Sequence, residues 1–166
     1  DRFGNRARYG FGDAGLPAGP PINDPQPSYF DPSAAPVRIL DTRTGQGATT
    51  VGPLPADGTV KVDLPIDTTA NHAAVVLNVA IVNATGAGWL SVYTHGWSYP
   101  SATSALNVDQ GQTRANMVVV PINGMRQVDV YTRGGGNIIV DVLGYFRPTS
   151  WDGAGYEGGR GRLRTV

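Results

Sequence analysis

The chain has 166 residues, with 13 basic and 13 acidic side chains and a formal net charge of zero. That length supports one domain with a real core, and the neutral balance excludes a polyanion binder held by general electrostatics. Its 23 Gly and 13 Pro, against one Lys (Lys61) and one Glu (Glu157), exclude a helical bundle, and no cysteine leaves no disulfide, thiolate catalysis or zinc–thiolate site.

Three zones follow in order. Residues 1–35 are rich in Gly and Pro and contain no β-like run, so they read as an extended N-terminal arm with isolated apolar residues. Residues 36–147 hold nearly all the β-branched residues and read as about eight strands separated by turn signals. The first opens at Val37 and runs to Leu40. Val60, Val62 and Leu64 alternate with Lys61 and Asp63, a strand with one wet face. Ala73 to Val82 is apolar on both faces except at Asn78, which predicts a central, doubly covered strand. Trp89 to Tyr93, a shorter Ser104 to Val108, Asn116 to Val120, Val128 to Tyr131 and Ile138 to Phe146 complete the set. Asn123-Gly124 is the pair a type I′ hairpin prefers, Asp57-Gly58 gives a similar signal, and Gly134 to Asn137 reads as another reversal. Residues 148–166 turn Gly-rich again, with Arg160, Arg162 and Arg164, and read as a C-terminal arm. The expected fold is all-β: an antiparallel β-sandwich, jelly-roll or Ig-like, with a closed barrel as the alternative. No apolar run reaches the ~18 residues of a membrane span. Asp1 in place of Met reads as a processed chain or a fragment of a longer one.

The landmarks of the middle zone form an ordered set. It opens with Arg38-Ile39-Leu40-Asp41-Thr42-Arg43-Thr44-Gly45, passes Leu77-Asn78-Val79 and Gly88-Trp89-Leu90-Ser91-Val92-Tyr93, and closes with Val140-Asp141-Val142-Leu143-Gly144-Tyr145-Phe146. This resembles a β-domain common in secreted and cell-surface proteins of actinobacteria and Chloroflexi-type bacteria, often a repeated or terminal module beside hydrolase or adhesin domains. The resemblance covers about residues 36–147 and implies an extracellular or cell-surface module. It brings no catalytic residue with it.

Asp141 lies in an apolar run, where a charge is costly unless paired. A structural ion pair of Arg43 with Asp141, tying the first strand to the last, is favoured over a catalytic carboxylate pair of Asp41 with Asp141. A Ser–His–Asp set of Ser91 or Ser98 with His95 and Asp109 lacks a nucleophile elbow. The chain is therefore expected to be no enzyme, with no catalytic, cofactor-binding or metal residues and no cofactor. Asp63 and Asp67 read as solvated turn carboxylates rather than calcium ligands. Tyr93, Trp97 and Tyr99 form a candidate glycan platform, since aromatic faces stack on the apolar faces of sugars.

Segments as rich in Gly and Pro as the arms bury too little of their own surface to order themselves. Their anchors Phe3, Tyr9, Phe11, Tyr29, Phe30, Trp151 and Tyr156 read as assembly contacts on neighbouring subunits. The leading reading is a non-enzymatic structural subunit of an extracellular filament or surface coat. Its partner is itself, with surface glycans as a further candidate and neither nucleic acid nor membrane expected. The alternatives are a carbohydrate-binding or adhesive module of a secreted protein and a virion decoration protein.

Overall fold

Eight strands account for the β-branched runs in a computed structural model that describes residues 28–66, 72–98 and 103–148. They are β1 (Ser28–Asp41), β2 (Gly58–Asp63), β3 (Ala74–Val82), β4 (Gly88–Thr94), β5 (Leu106–Val108), β6 (Arg114–Pro121), β7 (Gln127–Thr132) and β8 (Asn137–Pro148). Each predicted run falls within or overlaps one of them. Ser28–Pro148 is one compact unit.

The strands form two four-stranded antiparallel sheets packed as a sandwich. Sheet 1 has the order β1-β8-β3-β6 and sheet 2 the order β2-β7-β4-β5. The first strand thus pairs with the eighth, the second with the seventh, the third with the sixth and the fourth with the fifth. This is one long antiparallel hairpin, rolled so that β3 also meets β8 and β4 also meets β7. The result is the eight-stranded jelly roll, which decides between the two sandwich types left open by the strand pattern.

Alternation decides which side chains enter the core. In β3, Val75, Leu77, Val79 and Ile81 are fully buried against sheet 2. Leu77 lies opposite Val118 on one side and Val142 on the other. Sheet 2 answers with Val62, Leu90, Val128 and Val130, also fully buried. Each such side chain contributes about 1.5–3 kcal/mol by leaving water. The central position of β3 is as expected, but only one of its faces is covered by a second layer. Its other face carries buried Val76 and half-buried Asn78 and Ala80.

Two local readings differ from the structure. β1 begins at Ser28, so residues 28–35 belong to the sandwich rather than to the arm. Pro32 and Pro36 hide it in the sequence, yet proline is tolerated because β1 is an edge strand. Its pairing with β8 skips a register between Pro32 and Val37. The second is Asn123-Gly124, which closes no hairpin. The flanking strands β6 and β7 belong to different sheets, and the positive φ falls on Arg126 (55°) instead. Asn123 opens a turn whose Arg126 N–H donates to the Asn123 carbonyl at 3.1 Å.

Candidate functional site

The end of β1 gathers the charged residues singled out in the sequence. Asp41 is 3% exposed. Its carboxylate accepts from the Arg43 N–H (3.1 Å), Nε (2.9 Å) and Nη2 (2.7 Å), and from Arg38 Nη1 at 3.4 Å. The Thr44 and Gly45 N–H groups donate to the Asp41 carbonyl and close the turn. Buried Thr42 accepts the Ile138 N–H at 3.0 Å, which fastens this turn to the start of β8. Asp141 accepts from Arg38 Nε at 2.8 Å and Nη2 at 3.3 Å.

The expected Arg43–Asp141 pair is therefore not the one formed. Arg38 stands directly opposite Asp141 in the β1–β8 ladder, whereas Arg43 lies past the strand end and folds back on Asp41. The tie between first and last strand exists, with Arg38 as its cation. Asp141 is also less enclosed than its flanks imply, with a side chain 15% exposed. Hydrogen bonds from Arg43 hold the Asp41 carboxyl below the usual carboxylate range, against the opposing effect of burial. A carboxylate so held is ionised and fully engaged. It is a clamp, not a proton donor.

The Ser–His–Asp set is not assembled. Ser91 Oγ donates to the Thr103 carbonyl at 2.6 Å, and Asp109 sits in the β5–β6 loop, at the opposite end of the sandwich from His95. His95 instead meets Asp129 of β7, with Nδ1 at 2.9 and 3.0 Å from the two carboxylate oxygens. Nothing in the local sequence announces this partner, because β4 and β7 become neighbours only through the rolled topology. Asp63 accepts from Gln127 Nε2 at 2.6 Å, while Asp67 lies outside the described residues. Among the described residues no group of three or more His, Asp or Glu is placed to hold a metal ion.

The two ends of the sandwich differ. At one, the β7–β8 loop interlocks with the β3–β4 loop through Thr85 N–H to the Gly135 carbonyl and with the β1–β2 loop through Leu54 N–H to the Gly136 carbonyl. Packing there is close enough that a Cβ at Gly134 would run into the Gly86 carbonyl. At the other end, Ser28 of β1 pairs with Pro148 of β8. The first and last residues of this unit therefore stand side by side. Tyr29 and Phe30 stand at this end, 51% and 45% exposed, with the Phe30 ring tilted against Phe146 at 5.5 Å. The other arm anchors, Phe3, Tyr9, Phe11, Trp151 and Tyr156, lie outside the described residues. The same end carries Trp97, 59% exposed in the turn after β4, and Met125, 59% exposed in the β6–β7 loop. Tyr93 lies on the outer face of sheet 2 opposite Asp129, and Tyr99 is outside the described residues.

No protein-family model and no curated protein matches this chain. Among solved structures it is similar to the coat protein of Tobacco streak virus, at 10% identity and a TM-score of 0.31, over 87% of this chain and 99% of that one. The jelly-roll assignment rests on the strand order.

Proposed function

We propose that this chain is a non-enzymatic structural subunit of an extracellular assembly, joined to its neighbours by its two flanking arms and by the edges of sheet 1. One observation carries the reading: Ser28 of β1 pairs with Pro148 of β8, so the residues to which the two flanking segments attach are neighbours, beside exposed aromatic side chains. An extended residue spans up to about 3.3 Å, so 27 residues in extended form would be long enough to reach a neighbouring subunit. The Phe3, Tyr9 and Phe11 anchors suit hydrophobic pockets on a neighbour.

The distribution of apolar surface supports the same reading. Sheet 1 exposes Tyr29, Phe30 and Val37 along β1, and Met117 (61%) and Val119 (54%) along β6, its opposite edge. Sheet 2 has no comparable edge, since β2 carries Lys61 and Asp63 and β5 is three residues long. Two unlike apolar edges on one sheet favour head-to-tail contacts, which build rings or open filaments. The resemblance of residues 36–147 to secreted bacterial β-modules supports an extracellular setting.

The test compares the full chain with one lacking residues 1–27, by light scattering after size exclusion and by negative-stain imaging. The cut ends at Pro27 because Ser28 to Phe30 already pair with β8. The full chain is expected to form polymers and the shortened one to stay monomeric with an unchanged melt. A monomeric full chain, or a shortened chain that assembles equally well, overturns the proposal.

A further inference from the structure

A second surface at the arm end has chemistry that assembly does not use. The turn Thr94–Trp97 and the β6–β7 loop are joined into one rigid unit. The Trp97 N–H donates to the Thr94 carbonyl at 3.2 Å, and Gly96 at φ 84° supplies the left-handed residue this turn needs. Asn123 fastens the two segments, its Nδ2 donating to the His95 carbonyl at 2.8 Å while its Oδ1 accepts the Met125 N–H at 3.0 Å. A Cβ on Gly96 would sit 3.3 Å from the Met125 methyl, so the thioether lies directly on this turn. Trp97 and Met125 are thus held at the surface by hydrogen bonds beneath them.

The adjoining outer face of sheet 2 is polar in an ordered way. Asp63 and Gln127 pair across β2 and β7, and the His95 N–H donates to the Gln127 carbonyl, which aligns the three in one row. Lys61, Asp129 and Tyr93 form the next row. His95 bridges the rows by contacting Asp129 through Nδ1, which leaves Nε2 for a ligand, and its side chain is 32% exposed. Carboxylate, amide, imidazole and ammonium groups therefore line the sheet face from which the chain runs, through His95, into the turn that carries exposed Trp97.

We propose that this surface binds carbohydrate, with a pyranose face stacked on Trp97 and vicinal hydroxyls hydrogen-bonded by the Asp63–Gln127–His95 row. Strands lie about 4.8 Å apart and alternate residues about 6.8 Å apart, so three strands and two rows cover about 10 by 7 Å. That footprint suits one or two sugar rings. It falls far below the roughly 800 Å² that each partner of a stable protein complex buries. One Lys beside two carboxylates also disfavours a phosphate-bearing ligand. Stacking on an aromatic ring needs no charge, and planar amide and carboxylate groups match paired hydroxyls. The platform is fixed before binding, so little ordering opposes the ligand. This inference is independent of assembly, because none of its residues lies in an arm or on a sheet 1 edge.

Affinity electrophoresis of the full chain in native gels containing soluble β-glucan, xylan, galactomannan or arabinogalactan tests it. Retardation by at least one polymer is expected, weakened at least tenfold in Trp97→Ala and in His95→Ala. Val51→Ala, at an exposed position in the β1–β2 loop at the opposite end, should leave retardation unchanged. Thermal melts matching the parent show that each variant is folded. Retardation in none of the gels, or retardation that survives either platform substitution, overturns the proposal.

Discussion

Replacing Asp41 should cost far more stability than replacing Asp141, although both carboxylates are held by arginines. Asp41 is 3% exposed and accepts from Arg43 three times, once through a backbone N–H. In Asp41→Ala that N–H loses its acceptor and two charge-assisted bonds vanish. Hydrogen bonds to charged groups contribute about 1.5–3 kcal/mol each, and a stranded buried donor costs about 1–3 kcal/mol. Arg43 is 44% exposed and regains water, which offsets part of the loss. A net cost of about 3 kcal/mol follows. Asp141 stands on the outer face between Arg38 and Asn78 and accepts from Arg38, itself 41% exposed, so Asp141→Ala should cost about 1 kcal/mol. For a sandwich of this size 1 kcal/mol moves Tm by about 4 °C, giving shifts of about 12 °C and about 4 °C. Acidity supplies a second readout. Arg43 lowers the Asp41 carboxyl below its usual value, which is about 3.9 in an unfolded chain. Its contribution is therefore complete above that value and lost as pH falls through the lower folded one. The gap in Tm between wild type and Asp41→Asn should close on going from about pH 5 to pH 2. Differential scanning calorimetry across this range measures both effects. An Asp141→Ala variant as destabilised as Asp41→Ala, or a gap that widens on acidification, would refute the assignment of Asp41 as the principal clamp.

Two further substitutions probe the packing. Leu77→Ala empties a fully buried site between Val118 and Val142 and should cost about 2–5 kcal/mol in urea unfolding; a loss below 1 kcal/mol would mean that the sheets do not meet there. Gly134→Ala places a methyl against the Gly86 carbonyl and should cost about 2 kcal/mol or more, since backbone on the opposing loop has to move; an unchanged melt would show that the glycine-lined loop end is looser than described.

Strand positions were legible because they depend on local chemistry. Alternating valines mark β2 and β7, where burial follows the alternation, and near-continuous apolar runs mark β3 and β8, each with three consecutive buried residues. Partners were not legible, because only β4 and β5 are neighbours both in sequence and in a sheet. Every other connection crosses between sheets or passes over a strand, so a turn signal such as Asn123-Gly124 states where the chain bends and nothing about what it pairs with. The same limit explains His95 and Asp129, which lie 34 residues apart. It also explains why Arg38 rather than Arg43 meets Asp141: choosing between them requires the β1–β8 register.

That register gives a physical meaning to the two sequence landmarks. A rolled hairpin is completed by its outermost pair, and here that pair is β1 with β8, whose contact Arg38–Asp141 spans 103 residues. Loop closure over such a distance carries a larger entropic cost than closing the inner pairs. The Arg38 to Gly45 segment and the Val140 to Phe146 segment are the two halves of this closure. Asp41 shapes the turn, Thr42 receives the Ile138 N–H and Asp141 receives Arg38. The most recognisable residues in the chain are therefore engaged in holding the sandwich shut. The exposed apolar side chains lie elsewhere, mainly at the other end and along the edges of sheet 1, where Tyr29, Phe30, Trp97 and Met125 are exposed and few local patterns constrain them. The local sequence motifs mark the lock, and the exposed apolar residues that the proposed contacts would use emerge only when exposure is mapped onto the strand order.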